Sequence, residues 1–169
     1  MVRGRLNHVS VEEAEDDPGV LMGELRINGN TATVLFDSGA SHSFISIAFA
    51  KDHKIPFEKM RRPLVISTPG SKWQTDGVTP EVQINIDSLS FPYALVALKS
   101  KGIDVILGMN WLAKYRDNLD CAAKTITVTT SSGDIVEYWS ALSRPPSSVI
   151  PNSPEILLCF MEAESPPEI

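Results

Sequence analysis

Short apolar runs separated by turn-forming residues dominate the middle of the chain. Residues 20–27 are a strand candidate, and residues 28–30, Asn-Gly-Asn, favour a tight hairpin turn because Gly and Asn adopt positive φ at low cost. A second strand is predicted over residues 31–36, and its apolar end indicates burial on both faces. Between residues 81 and 87 apolar and polar positions alternate, which predicts a strand with one face in water.

The remaining pattern adds more short strands and two short helices. Residues 43–53 carry apolar positions at the spacing of an amphipathic helix, and Asn110 is expected to cap a second helix that runs to Tyr115. Many short strands with regular turn signals predict an all-β fold, mainly β with one or two short helices, closed or nearly closed into a small barrel. The other predicted strands cover residues 64–66, 72–74, 91–98, 105–107, 125–129 and 135–138.

The two ends of the chain differ in composition from the middle. Residues 1–18 are polar and contain an acidic run at 12–17, which is typical of a solvated linker. Residues 141–169 are rich in Pro and Ser, as in spacers or in short motifs that fold only on a partner. We therefore predict a polar acidic linker over 1–18, one folded domain over 19–140, and a tail or inter-domain linker over 141–169.

Composition narrows the function classes. The chain has 169 residues, enough for one domain with a core but short for two. Its net charge of -6 argues against a dedicated nucleic-acid binder, and the small basic group Lys59, Arg61 and Arg62 is interpreted as solvated. Cys121 and Cys159 lack the spacing of zinc ligands, so no metal is predicted. Without a signal peptide or a membrane-length apolar run, we expect a cytoplasmic protein with no membrane partner.

One short motif is a candidate for chemistry. Asp37, Ser38 and Gly39 directly follow the buried strand, where a single carboxylate is costly to bury. On its own this triplet favours an ordinary turn in which the aspartate side chain bonds to the backbone. Further along, a second apolar run ends in glycine at residues 106–108 and directly precedes a predicted helix. The pair of motifs favours a functional site over a simple turn.

Residues 34–45 and 104–112 together resemble the protease region of gypsy-class long-terminal-repeat retrotransposon polyproteins of plants, within the retropepsin family of aspartic proteases. The resemblance implies an acid protease fold, a retropepsin-like closed β-barrel that supplies half an active site per chain. It implies catalytic roles for Asp37, Ser38 and Gly39, with no cofactor and no metal. The substrate-binding residues that it implies, from the active-site loop, the flap hairpin and the cleft wall, are Ala40, Thr68, Pro69, Gly70, Ser71, Ile106, Leu107 and Gly108.

The family's chemistry needs two carboxylates that share one proton and activate a water molecule between them. Only one Asp-Ser/Thr-Gly triplet is present in this sequence. The second aspartate is therefore expected from an identical chain, in a symmetric homodimer. Met109 stands where retroviral members of the family carry an arginine, so the ion pairs of that arginine at the dimer edge are not implied here.

These points predict an aspartic-type endopeptidase that acts on extended peptide or polyprotein substrates, in the processing of a retrotransposon polyprotein. Two alternatives stay open. One is a retropepsin-like dimerisation or peptide-binding module without turnover, and the other is a transposon-derived host protein with a different substrate. The complete triplet at residues 37–39 favours the enzyme, because a binding module has no need of a buried carboxylate.

Overall fold

The computed structural model describes residues 2–6, 10, 20–115, 118–120, 123 and 125–139. Within these residues the chain forms a ten-stranded sheet, a three-stranded sheet and two short helices, which confirms the mostly β class. The acidic run at 12–17, both cysteines and the tail at 141–169 lie outside the described residues.

The larger sheet has the strand order β1-β5-β6-β9-β4-β10-β3-β2-β7-β8. Its strands are β1 (Val2–Arg5), β2 (Val20–Ile27), β3 (Asn30–Asp37), β4 (Phe44–Ser46), β5 (Glu58–Thr68), β6 (Ser71–Val78), β7 (Ile84–Ile86), β8 (Leu89–Ser90), β9 (Val96–Leu98) and β10 (Val105–Leu107). The smaller sheet contains β11 (Asn118–Asp120), β12 (Thr125–Thr129) and β13 (Ile135–Trp139). Helix α1 (Ile47–Asp52) directly follows β4, and helix α2 (Met109–Lys114) follows β10.

Strand β10 lies between β3 and β4. It runs parallel to β3, with Leu107 opposite Phe36, and antiparallel to β4, with Ile106 opposite Phe44. A strand with neighbours on both edges and apolar layers on both faces is expected to be wholly apolar, as this one is. The pairing brings the carboxyl ends of β3 and β10 together.

Two apolar clusters cover the two faces of these central strands. Val34 and Phe36 belong to the first cluster and Leu35 to the second, as the alternation of side chains along a strand requires. The first cluster is rich in aromatic rings, with the Phe36 and Trp111 ring centroids 6.2 Å apart. The second cluster contains Ile106. The predicted burial of this strand end on both faces is confirmed.

The smaller sheet is attached to the larger one through Tyr138. The Tyr138 hydroxyl accepts a hydrogen bond from the Glu24 amide at 2.8 Å and donates one to the Glu24 carbonyl at 3.0 Å. Its ring centroid lies 5.9 Å from that of Phe36. Gly23 lies directly against the Tyr138 ring, where a Cβ atom would be within 2.6 Å of the ring carbon Cε2. The absence of a side chain at Gly23 therefore allows the two sheets to pack closely.

Several predicted elements are wrong in their bounds; the strand predicted over residues 64–66, for example, extends over Glu58–Thr68. The helix predicted over residues 43–53 begins only at Ile47, because Phe44–Ser46 pairs with β9 and β10 as a strand. The Ser46 hydroxyl then caps the helix by accepting a hydrogen bond from the Phe49 amide at 3.2 Å. The strand predicted over residues 91–98 is regular only at Val96–Leu98, and Tyr93 forms a single bridge to Val82.

Strand β1 was not predicted, and it lies within the segment interpreted as a linker. It pairs in parallel with β5, and Leu6 after it is fully buried. The alternation of buried Gly4 and Leu6 with exposed Arg3 and Arg5 is the period of a strand. The missed signal is weak because one of its two inward positions is a glycine.

Candidate active site

Asp37 is the last residue of β3, and only 2% of its surface is exposed. One of its carboxylate oxygens, Oδ1, accepts a hydrogen bond from the Gly39 amide at 2.8 Å, and the Ala40 amide donates to the Asp37 carbonyl at 3.1 Å. The chain thus makes a tight turn around the carboxyl group. Ser38 at the outside of the turn is exposed. The structure therefore combines a buried carboxyl with a hydroxyl that is accessible from outside the chain.

The second motif lies beside this turn. Because Leu107 is opposite Phe36 in the parallel pair, the next residue on each strand brings Gly108 alongside Asp37. The Met109 amide donates a hydrogen bond to the Ala40 carbonyl at 2.8 Å, which joins the start of α2 to the turn. The two motifs that sequence analysis paired are thus in contact.

At Gly108 the backbone segments of the two motifs approach each other closely. A Cβ atom built on Gly108 would lie 2.6 Å from the Ala40 carbonyl oxygen and would also meet the His42 carbonyl oxygen. Both are backbone atoms, and neither can rotate away as a side chain does. The close approach is what requires glycine at this position. The backbone conformation does not require it, because a φ of -99° is available to any residue.

A buried serine holds the two motifs together. Ser43 is 1% exposed, and its hydroxyl accepts a hydrogen bond from the Gly108 amide at 3.0 Å and donates one to Asn110 Oδ1 at 2.7 Å. The predicted role of Asn110 as a helix cap is wrong, because the N-cap of α2 is Gly108 and Asn110 lies in the first turn. Asn110 Oδ1 also accepts a hydrogen bond from the Trp111 amide at 2.8 Å. Sequence analysis did not identify Ser43. The pattern that could have indicated it is a hydroxyl residue directly before two buried apolar residues.

Replacing Ser43 by alanine is expected to lower the free energy of unfolding by about 2 kcal/mol, because the buried Gly108 amide loses its acceptor. Urea unfolding of the two proteins measures the change. The matched control is Ser88→Ala, an exposed serine in the turn between β7 and β8, for which we expect a change within about 0.5 kcal/mol. Equal effects of the two substitutions would contradict the role given to the Ser43 hydroxyl.

A Ser-His pair follows the turn. The Ser41 hydroxyl oxygen accepts a hydrogen bond from the Arg5 amide at 2.8 Å and lies 2.9 Å from His42 Nδ1. The Ser41 oxygen has a second lone pair, so the histidine tautomer decides which of the two atoms donates in the bond to Nδ1. Partial burial lowers the pKa of His42, which favours the neutral imidazole at pH 7.

The lowered pKa of His42 predicts a pH-dependent contribution to stability. A histidine whose pKa is depressed on folding supplies stability above its unfolded pKa, and that contribution is lost as pH falls through the folded pKa. From about pH 7.5 to about pH 5, the unmodified chain should therefore lose stability relative to the variant His42→Gln. Thermal melting of both proteins at the two pH values checks this. A difference in melting temperature that stays constant with pH would contradict it.

The hairpin predicted around residues 68–71 is present. Strands β5 and β6 meet there, the Thr68 hydroxyl donates to the Ser71 carbonyl at 3.3 Å, and Gly70 has a φ of +80° that favours glycine. Pro69 and Gly70 at the tip are exposed. A cavity of about 350 Å³ opens beside this hairpin and is lined by Ile47, Thr68, Ser71, Trp73, Gln74, Thr75, Ala97 and Lys99.

The residues predicted to form the cleft wall divide between the two faces of the sheet. Ala40 and Ile106 are buried in the second cluster. Leu107 is buried in the first cluster, on the opposite face of β10. The structure thus brings Ala40 and Gly108 to the turn, while the side chains of Ile106 and Leu107 pack in the two core clusters.

Among the described residues, no three His, Cys, Asp or Glu side chains are grouped so as to hold a metal ion. In the same part of the chain, no helix is long and apolar enough to cross a membrane.

A family model described as retroviral aspartyl protease matches residues 1–134. No curated protein matches the chain. Among solved structures, the chain is similar to the retroviral protease-like domain of Ddi1 from Leishmania major, with a TM-score of 0.50 and 16% identity over 70% of this chain and 89% of that one. It is also similar to the EIAV protease complexed with the inhibitor HBY-793, with a TM-score of 0.45 and 22% identity over 55% and 85%. The Simian Foamy Virus (mac) protease gives a TM-score of 0.39 and 20% identity over 54% and 91%. At these identities, the match to the Leishmania domain supports the fold alone.

Proposed function

Because the chain belongs to the retroviral aspartyl protease family, we propose that it is an aspartic-type endopeptidase that hydrolyses peptide bonds as a homodimer. The observation that carries the proposal is the buried carboxyl of Asp37, held in a tight turn at the carboxyl end of β3 with Gly108 alongside. Each chain supplies one such group, so each chain is half of a site that a second copy completes.

In the proposed dimer the two Asp37 carboxyls share one proton, because like charges at close range do not both ionise readily. The charged carboxylate takes a proton from a water molecule, which attacks the peptide carbonyl carbon. The neutral carboxyl donates its proton to the carbonyl oxygen, which gives a tetrahedral intermediate with two hydroxyl groups. As the C–N bond breaks, the carboxyl that took the water proton passes it to the leaving amine, and the other carboxylate takes back a proton from one of the two hydroxyls. The exposed Ser38 hydroxyl is available to hydrogen-bond across the two-fold axis, and Gly39 leaves room for the two turns to approach.

The proposed substrate is an extended peptide that lies between the turn and the hairpin at residues 68–71. The hairpin acts as a flap that closes over the peptide and offers backbone hydrogen bonds, with Thr68, Pro69, Gly70 and Ser71 at its tip. On the opposite side Ala40, Ile106, Leu107 and Gly108 form or support the cleft wall. The exposure of Pro69 and Gly70 at the tip supports this proposal.

The finer assignments belong to the same proposal. We propose a closed barrel as the domain architecture, a gypsy-class plant retrotransposon polyprotein as the substrate, and the cytoplasm as the compartment. The folded domain covers residues 19–140 together with β1, since β1 pairs with β5, and residues 141–169 form a tail or an inter-domain linker. The motifs at 34–45 and 104–112 support this assignment through their resemblance to that class.

The direct test is cleavage of fluorogenic extended peptides over a range of chain concentrations, with the association state measured by analytical ultracentrifugation. A half-site enzyme gains specific activity over the same concentration range in which it dimerises. Activity should fall on the alkaline side, where the shared proton is lost. A fully active monomer would overturn the half-site arrangement.

The second candidate is a peptide-binding or dimerisation module without turnover. One observation favours this candidate: Leu6, directly after β1, is buried against the proposed cleft wall, in the same cluster as Ala40 and Ile106. A chain that dimerises but cleaves no peptide in the assay above would support the module over the enzyme.

A further inference from the structure

The amino-terminal segment, residues 2–6, lies along the strand that leads into the proposed flap. β1 is parallel to β5, with Gly4 opposite Ile66 and Arg5 opposite Ser67. The Leu6 amide continues this pairing by donating a hydrogen bond to the Ser67 carbonyl at 3.0 Å. The segment thus adds an extended strand to β5, directly before the proposed flap tip.

The same segment is hydrogen-bonded on its other side to the loop that contains the catalytic triplet. The Arg5 amide donates to the Ser41 hydroxyl at 2.8 Å, and the Ser41 amide donates to the Arg5 carbonyl at 3.1 Å. The Arg5 side chain donates from Nε to the Gly39 carbonyl at 3.2 Å. A single extended segment therefore bridges the flap strand and the active-site loop with backbone hydrogen bonds, which is how a strand-like peptide is recognised.

The side chains of the segment fit this position in different ways. Leu6 is fully buried in the cluster that contains Ala40 and Ile106, two residues of the predicted cleft wall. Gly4 lies close to His42, where an added Cβ atom would be 3.0 Å from Nδ1. Arg3 is exposed. The segment therefore places a small residue, a basic residue and an apolar residue at three consecutive positions of the groove.

We propose that residues 2–6 occupy the peptide groove of their own chain in the manner of a bound substrate and exclude other peptides while they remain there. The proposal rests on the proposed function, which assigns peptide binding to this groove. It names the peptide class that the groove takes: an extended segment with a small residue, a basic residue and an apolar residue in sequence.

The segment is suited to be a releasable occupant. It is an edge strand of the larger sheet, so its release breaks pairing with β5 and the contacts at Arg5 and Leu6 but no other strand pair of that sheet. Local opening of such an edge costs less free energy than global unfolding. As part of the same chain, it competes with free peptides at an effective concentration on the order of millimolar.

The test measures peptide binding in the background Asp37→Asn, so that no peptide is cut. The probe is a fluorescently labelled peptide with the sequence of residues 2–6, and anisotropy gives its Kd. Two variants release the segment: Leu6→Asp places a carboxylate in an apolar pocket, and Gly4→Val presses a side chain against His42. The matched control is Arg3→Gln, an exposed position on the same strand.

Each release variant should bind the peptide at least about tenfold more tightly than the control, because the internal competitor is removed. Hydrogen exchange should show loss of protection at the Ser41 amide, which donates to Arg5, with protection retained at Val34 in the central sheet. Release variants that stay folded and bind no better than the control would overturn the proposal. Unfolding of both variants would overturn it as well, since the segment would then be a required part of the core.

These outcomes are separate from those of the cleavage assay. Tighter peptide binding by the release variants, together with no cleavage when the same substitutions are made in a chain that retains Asp37, would support the occupied groove and reject the catalytic proposal. Cleavage by the unmodified dimer, with no gain in peptide binding on release, would do the reverse.

Discussion

Asp37→Asn should abolish peptide cleavage and leave the fold intact. The asparagine side chain keeps an oxygen that can accept the hydrogen bond from the Gly39 amide, which lies 2.8 Å from Oδ1. It cannot take a proton from water, so the loss should be about a thousandfold or more. Initial rates on a fluorogenic peptide measure the activity, and urea unfolding checks that the variant is folded.

The matched control is Asp76→Asn, an exposed aspartate that also precedes a glycine. It should retain the activity of the unmodified chain. Cleavage that survives in Asp37→Asn at the control's level would reject Asp37 as the catalytic group.

Mixing experiments sharpen this prediction because they test the half-site directly. When Asp37→Asn chains are added in excess to active chains, most active chains enter mixed dimers that contain one carboxyl at position 37. Activity should then fall well below that of the same active chains alone. Activity that is unaffected by the added variant, at concentrations where ultracentrifugation shows mixed association, would indicate that one chain holds a complete site.

The contact between the two motifs could be predicted from the sequence because each motif has a local signature. Residues 34–36 and 105–107 are apolar at every position, and each run is followed by a residue type that is depleted in strands, Asp37 and Gly108. Their parallel pairing was not predicted, since nothing in either run specifies its partner. The structure adds the register, with Leu107 opposite Phe36, that places Gly108 beside Asp37.

The errors in local structure have a common cause in tertiary pairing. The helix was predicted from the apolar residues Phe44, Ile47, Ala48 and Phe49, of which Ile47 and Ala48 are exposed in the structure. The residues of β4 nevertheless form a strand, because β9 and β10 supply hydrogen-bonding partners on both of its edges. A periodicity argument cannot see those partners, so the strand-to-helix junction at Ile47 was not predictable from spacing alone.

The residues that support the site were the hardest to predict from the sequence. Ser43 and Asn110 are distant in the sequence, and their contact exists only because β4 and β10 are adjacent. The same holds for Arg5, whose bonds to Gly39 and Ser41 depend on the pairing of β1 with β5. Sequence analysis thus found the group expected to react, while the groups that hold it in place required the fold.

Gly108→Ala is expected to have the largest effect on stability. Its Cβ atom would lie 2.6 Å from the Ala40 carbonyl oxygen and would also meet that of His42. The Ala40 carbonyl is fixed by the Met109 amide at 2.8 Å, so relief of the overlap requires movement of the turn or of α2. Because only backbone movement can relieve this overlap, we expect the substitution to lower the free energy of unfolding by about 3 kcal/mol or more.

The matched control for that substitution is Gly77→Ala on β6. There an added Cβ atom meets only side-chain atoms, the nearest being Ala97 Cβ at 3.3 Å, and the change should stay within about 1 kcal/mol. Urea unfolding of both variants measures the difference, and cleavage assays below the unfolding transition measure the effect on the site. Because Gly108 contacts the backbone that follows Asp37, any Gly108→Ala protein that remains folded should also lose activity through displacement of the turn. Equal stability of the two variants would show that the backbone at residues 40–42 moves easily, and would remove the steric reason for glycine beside the turn at residues 37–40.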